Sequence, residues 1–230
     1  MNYNHGILFV PKEFMQEQIP HPPIASREAW ESARAALLVE EKALTKIYDR
    51  VAAQRRRLPM VHMDKPYRFV GAEGEVTFAQ MFAGQRQLIM YHFMYGPQND
   101  VGCPVCTGFM NSLPDLSYLE QRDTRFVIVA CAPYAQLEAH RTLSGIRFPF
   151  YSSYESDFNY DMKMSDERGE GQGVSVFFRL GDAVYHTYTA LQRGVEGLAS
   201  AQSFLDRTPY GRQQDFEDSP VGWPQHPTYG

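Results

Sequence analysis

Residues 88–106 read LIMYHFMYGPQNDVGCPVC, and this stretch decides the fold. Leu88 to Tyr95 is a near-continuous apolar run, the pattern of a strand buried on both faces. A loop follows, and then Cys103-Pro104-Val105-Cys106 opens a helix. Proline suits the first helical position, where an N–H would have no intrahelical partner in any case. The next buried strand is predicted over Arg125–Ala132, and Pro133 starts a helix that ends near Gly145 with Leu137 and Leu143 facing inward. Strand, helix, strand, helix implies parallel crossovers. Further on, Gly181-Asp182 lies between Val174–Arg179 and Ala183–Tyr188, a signal for an antiparallel hairpin. The order predicts an α/β fold, with a mixed central sheet and helices on both faces.

Working outward, the helix opened by the cysteines is expected to reach about Gln121. The aromatic segment Phe148–Tyr160 reads as irregular, and a last helix is expected over Val195–Leu205. Upstream, Arg68–Gly71 and Val76–Phe78 flank Glu73-Gly74 as a hairpin, and Gln80–Phe82 fits a short helical turn. Residues 1–25 read as an irregular arm. Ser26 is a plausible N-cap for a helix whose Ala33, Leu37, Leu44, Ile47, Tyr48 and Val51 form one apolar stripe. Arg55, Arg56 and Arg57 suit the negative end of its dipole, and Pro59 stops it. That stripe must be covered, by its own domain or across a homodimer interface, because lone helices are marginal in water. From Thr208 four prolines predict an extended tail. The organisation expected is an arm and helix over 1–60, a central domain over 61–207 and a Pro-rich extended tail over 208–230.

Composition narrows the functions. The 230 residues are 43% apolar, enough for a substantial core, and 22 basic against 27 acidic residues leave a net charge of −5. No basic excess recruits nucleic acid or anionic lipid. The longest apolar run, Phe126 to Ala132, is far short of the roughly 18 residues of a membrane span. The first 25 residues hold no hydrophobic leader core, and Pro20, Pro22 and Pro23 interrupt them. A soluble, cytoplasmic protein is expected. Three cysteines are too few for a disulfide scaffold.

The chemistry is carried by Cys103 and Cys106. Free backbone N–H groups and the helix dipole stabilise a thiolate at a helix N-terminus. Cys103 falls at the exposed end and Cys106 one turn inside, so the sulfurs share a face within bridging reach. Attack by Cys103 on a disulfide gives a mixed disulfide, which Cys106 resolves. No Lys or Arg lies within several residues of the pair, so stabilisation must be mainly dipolar, and Asp100 opposes it slightly. Structural zinc, the rival reading, needs four ligands, but there is no second pair, and His92, Cys131, His140 and His186 are scattered. A pair of inert buried thiols is the other alternative. No cofactor is expected. Cys131, at a strand C-terminus, lies near the pair or is a small buried hydrophobe. His92 fits a hydrogen-bonded core position better than a catalytic base. Tyr151, Tyr154, Phe158 and Tyr160 line a cleft near the pair or simply pack the core.

The element order resembles the thioredoxin fold. More narrowly, the chain is similar to the bacterial family called domain of unknown function 899, often labelled predicted dithiol–disulfide oxidoreductases. The residues that carry this likeness are Tyr91-His92-Phe93-Met94-Tyr95-Gly96-Pro97, Gly102 to Cys106, Arg147-Phe148-Pro149-Phe150, Ser156 to Asp161 and Thr208-Pro209-Tyr210-Gly211-Arg212. It covers about residues 30–213. It implies Cys103 and Cys106 as the catalytic pair, with Gly102, Pro104, Tyr95 and Ser175 as substrate-binding positions and a protein or small-molecule thiol or disulfide as partner. Proline after the first cysteine is similar to glutaredoxins and strongly oxidising oxidoreductases. The proline that thioredoxins place before the hairpin strand is replaced by the stretch Gly173-Val174-Ser175. Peroxiredoxins also lack it, and that likeness would make Cys103 peroxidatic and Cys106 resolving, although their Thr-x-x-Cys is unmatched because position 100 is Asp. Cys131 stands where the family leads one to expect Arg. Three functions follow as expectations: thiol–disulfide exchange, thiol-dependent peroxide reduction, and a binding module whose thiols are incidental.

Overall fold

The structure, a computed structural model, describes residues 19–228, so the arm expected over 1–25 lies mostly outside the described residues. The chain forms two compact units. One consists, in its described part, of residues 19–41 with Leu205–Thr228, and the other of Lys42–Phe204.

Helix α1 spans Arg27–Arg55. It is capped as expected, with the Ala29 N–H donating to Ser26 Oγ at 3.2 Å. None of its residues is buried, and Leu37, Leu44, Ile47 and Tyr48 are all exposed. In the first unit the tail does not run extended. Gly211 and Gly222 adopt positive φ (61° and 87°) and reverse the chain. The turns bring Gln214 beside His226 in a β-bridge, set Tyr210 against Trp223 at 5.4 Å, and pair Arg212 with Asp206.

The second unit is built on an eight-stranded sheet. Its strands are β1 (Val61–His62), β2 (Arg68–Gly71), β3 (Gly74–Thr77), β4 (Gln87–His92), β5 (Thr124–Ala130) and β6 (Phe150–Ser152), with β7 (Ser165–Asp166) and β8 (Gly169–Glu170) as a separate ribbon, and then β9 (Gly173–Leu180) and β10 (Ala183–Leu191). The order across the sheet is β1-β10-β9-β4-β5-β6-β2-β3. β4, β5 and β6 are parallel and the remaining pairings antiparallel. This mixed sheet, with helical crossovers after β4 and β5 and a late hairpin, is a thioredoxin-like α/β fold. Helix α2 (Pro104–Ser112) and the short α3 (Ser117–Glu120) connect β4 to β5, and α4 (Tyr134–Ser144) connects β5 to β6. A single turn, α5 (Phe158–Asp161), precedes β7, and α6 (Ser200–Leu205) closes the unit.

Alternation along β4 sorts the core into two layers. Tyr91 and Phe93 point to the α2 side with Cys106, Met110, Ile128, Leu137 and Val174. Leu88 and Met90 point to the other side with Phe69, Phe78, Phe82, Phe158 and Phe177. Phe158 is the hub there, its ring meeting Tyr67, Phe69 and Phe78 edge-on at 4.9–5.5 Å.

Four sequence expectations need correction. The helix after the cysteines stops at Ser112 because Pro114 forces Leu113 into the β region (φ −70°, ψ 138°), and α3 is a separate turn. Phe148–Tyr160 is not irregular throughout, since Phe150–Ser152 is the third parallel strand. Its three residues are too few for a periodicity signal. Leu143 is 86% exposed rather than inward-facing. The last helix is split into a 3₁₀ segment, Gln192–Leu198, and α6, with two glycines in the former weakening a regular α-helix.

Candidate active site

The carboxyl end of β4 delivers the cysteines. Past His92 the chain crosses the sheet edge, and the Cys103 N–H returns to the Met94 carbonyl at 3.1 Å, closing the intervening loop. Inside that loop Tyr95 is buried and its hydroxyl donates to the Asp100 carbonyl at 3.1 Å. Gly102 is buried where no side chain fits: a Cβ there would lie 2.7 Å from Phe93 Cε1 and 2.9 Å from His140 Nε2. Cys103 is the N-cap of α2, half-exposed, and Pro104 follows at the first helical position with its ring in solvent. Cys106 is buried one turn in.

Both thiols are free. Cys103 is pulled down to about 6, first by the Cys106 thiol acting as a hydrogen-bond donor, against an opposing effect of burial, and then by the backbone N–H groups of Cys106 and Val105. The helix-start amides, expected to be the main source of stabilisation, thus rank behind the Cys106 side chain. Cys106 is pushed up, first by the same bond to Cys103 and then by burial. One thiol is thus set to be a thiolate and its neighbour to keep its proton.

Around the pair, Thr107 Oγ1 donates to the Cys103 carbonyl at 2.9 Å and lies 3.0 Å from His140 Nε2. The hydroxyl has already used its one hydrogen, so His140 Nε2 is the donor. The Tyr91 hydroxyl donates to Gln172 Oε1 at 3.2 Å, and the Cys106 thiol approaches the same oxygen at 3.8 Å. Tyr95, Gly102 and Pro104 therefore surround the cysteines. Ser175 does not. It lies in β9 opposite Met90, on the layer away from α2, where its hydroxyl meets His92 Nε2 and Thr189 Oγ1, each at 2.9 Å. His92 is a buried core histidine held neutral, with burial pulling it down to about 3.

Cys131 is half-buried at the end of β5 and is pushed up to about 11 by burial and by the neighbouring Glu170 carboxylate. That carboxylate also accepts from Asn159 Nδ2 and Ser165 Oγ, at 2.9 and 2.7 Å. The four aromatics of the irregular-looking segment do not share a cleft. Phe158 is core, Tyr151 packs at its edge, and Tyr154 and Tyr160 are exposed. A cavity of about 800 Å³ lies elsewhere, lined by residues including Lys65, Tyr67, Arg68 and Arg179. Among the described residues no group of three His, Cys, Asp or Glu side chains is arranged to hold a metal ion, and no helix is long and apolar enough to cross a membrane. Sequence reasoning missed Gln172, Thr107 and His140 as neighbours of the pair. Their types and spacing carry no motif, and only the fold brings them together.

Among solved structures, the chain is similar to a Cys-to-Ser mutant of peroxiredoxin Q from Xanthomonas campestris, at 14% identity over 64% of this chain and 96% of that one, with a TM-score of 0.44. A mutant peroxiredoxin 6 of Arenicola marina aligns at 13% identity over 64% and 74% of the two chains, with a TM-score of 0.45. The reduced 2-Cys peroxiredoxin of Plasmodium vivax aligns at 13% over 64% and 93%, with a TM-score of 0.42. A search of curated proteins finds no match. The model of the family described as "Bacterial protein of unknown function (DUF899)" matches residues 19–229, and the chain belongs to that family.

Proposed function

We propose that the protein is a thiol–disulfide oxidoreductase in which Cys103 attacks and Cys106 resolves. One observation carries the reading: two free thiols one turn apart at a helix start, the first partly exposed and the second buried. Attack by the Cys103 thiolate on R–S–S–R forms Cys103–S–S–R and releases R–S⁻. Cys106 then displaces the second R–S⁻, leaving a Cys103–Cys106 disulfide. The protein loses two electrons, and the substrate gains them. No refolding is required, because the second sulfur is already beside the first. Peroxide reduction would use the same thiolate, yet the groups acting on Cys103 are Cys106 and the Val105 and Cys106 amides, with no cation among them. The substrate face consists of Pro104 and Val105, both exposed beside the attacking sulfur, while the buried Gly102 and Tyr95 support it from behind rather than touching substrate. A small or protein thiol/disulfide partner and a cytoplasmic setting, where such a pair is kept reduced, belong to the same proposal.

The test is paired turnover. The reduced protein is expected to cycle with glutathione and a small alkyl disulfide, and to consume hydrogen peroxide much more slowly. Faster peroxide consumption would make it a peroxidase, and no turnover with either would make it a binding module.

The exposed stripe of α1 also calls for a partner, and a second copy of this chain is the proposal. Sedimentation is expected to give a dimer, and a Leu44→Asp/Ile47→Asp variant is expected to sediment as a monomer with its thiol chemistry intact. A monomeric wild type would refute the dimer.

A further inference from the structure

The proposed cycle contains a step for which the cysteines alone are not equipped. Cys106 is buried, and its proton must leave before it can attack Cys103–S–S–R. The side chains and amides that act on its sulfur are few. Cys103 faces it from the N-cap, Tyr91 from β4, the Met94 backbone N–H from the end of that strand, and Gln172 from the turn before β9. No carboxylate, imidazole or ammonium group is among them. Two of the four, the Tyr91 hydroxyl and the Met94 N–H, are donors able to stabilise a thiolate there.

Tyr91 is fully buried on the α2 side of the sheet, and burial holds its hydroxyl protonated at any physiological pH. In the resting dithiol its hydrogen goes to Gln172 Oε1, the same oxygen that the Cys106 thiol approaches. The single Cys106 hydrogen has two acceptors within reach, the Cys103 sulfur and this amide oxygen, and both favour the state in which Cys106 keeps it.

Resting on the thiol–disulfide reading, we propose that Tyr91 is the positioning residue of the resolving step. Its hydroxyl turns from Gln172 to the Cys106 sulfur as the thiolate forms, and Gln172 is the competing acceptor that holds Cys106 as a thiol until then. Once Cys103 is in a mixed disulfide, it no longer offers a thiolate to the Cys106 hydrogen, and the contact that kept Cys106 protonated is gone. The Cys106 proton passes to water, and the Cys106 thiolate attacks the Cys103 sulfur. The bond between the Cys103 sulfur and S–R breaks, the Cys103–Cys106 bond forms, and R–S⁻ leaves. The Tyr91 O–H and Met94 N–H carry the transient negative charge. Tyr91 gives up no proton.

The two partners should act in opposite directions. Without the hydroxyl, the buried thiolate loses one of its two donors. Without the Gln172 amide, Tyr91 donates to the sulfur from the start.

A chromogenic nitrobenzoate disulfide separates the steps, because the first coloured thiol released reports attack by Cys103 and the second reports resolution by Cys106. All proteins carry Cys131→Ser so that only the pair reacts. Tyr91→Phe is expected to leave the first release unchanged, to slow the second at least about tenfold, and to move its pH midpoint upward. Gln172→Ala is expected to leave the first release unchanged and to move the midpoint of the second downward. An unchanged second phase in Tyr91→Phe overturns the proposal, as does a second phase slowed equally in both variants. If Tyr91→Phe does not fold, the direction of the Gln172→Ala shift decides alone. The parent reading fails differently, by the absence of any fast first release in the otherwise unaltered protein.

Discussion

At about pH 5.5, Cys103 is expected to exchange with a small disulfide roughly twentyfold faster than a free cysteine, and Cys106 not measurably at all. The factor follows from two opposing effects. With its pKa pulled down to about 6, Cys103 is roughly one-quarter thiolate at that pH, against about one part in a thousand for an ordinary thiol near 8.5. A more acidic thiolate is a weaker nucleophile, and with a Brønsted slope near 0.45 the loss is about thirteenfold. The product is about twentyfold at pH 5.5 and only about twofold at pH 7, so the advantage must fade as pH rises. Cys103→Ser is expected to abolish exchange, because the remaining Cys106 is buried and held protonated. Cys106→Ser is expected to stop after one attack with the mixed disulfide intact. Mass-spectrometric mapping of labelling against pH checks all three. If Cys131 labels first at pH 5.5, the roles are wrong, since burial and Glu170 hold that thiol at about 11.

The same pKa links to stability. A thiol whose pKa is lower in the folded state favours the folded reduced protein as its thiolate forms. That contribution is complete only above the unfolded value near 8.5, and it is lost as pH falls through about 6. Denaturation of the reduced protein should therefore show a stability increment between those limits. The increment should vanish in Cys103→Ser.

The part of the fold that positions the pair was legible because it obeys local rules. β4 and β5 are largely buried on both faces and read as near-continuous apolar runs, and Pro104 and Gly145 mark helix ends that the structure places at Pro104 and Ser144. What escaped depends on contacts between distant residues. β6 has three residues and exists because β5 offers an open edge to its parallel side. Gln172 reaches Tyr91 and Cys106 across 81 and 66 residues of chain. Ser175 was expected at the substrate face because of its place in the chain before the hairpin. A strand alternates its side chains, however, and it is the neighbours Val174 and Val176 that join the α2 layer while Ser175 turns toward His92. One residue of register decides that difference.

Gly102→Ala is expected to cost about 2 kcal/mol of stability, within the range for forcing extra atoms into a packed core, and to bring the reactivity of Cys103 toward that of a free cysteine. The added methyl would meet the Phe93 ring edge at 2.7 Å and His140 Nε2 at 2.9 Å. Neither neighbour yields easily. Phe93 is 1% exposed and is wedged between Phe150 and His140, with ring centroids 5.4 and 5.6 Å away. His140 is tied through Thr107 to the Cys103 carbonyl. The backbone must give instead, and the chain that shifts is the one carrying Cys103 into the N-cap. Displacement there lengthens the Cys103 N–H bond to Met94 and moves the sulfur from the Val105 and Cys106 amides, two causes of its acidity. Stability and reactivity should therefore fall together. Phe93→Leu, which removes the ring edge, should cost less in the Gly102→Ala background than in the parent. Chemical denaturation of the four proteins, with exchange rates at about pH 5.5, measures both quantities. A Gly102→Ala protein within about 0.5 kcal/mol of the parent, or one that loses stability yet keeps the low pKa of Cys103, would show that the close approach of Gly102 does not set the position of the attacking sulfur.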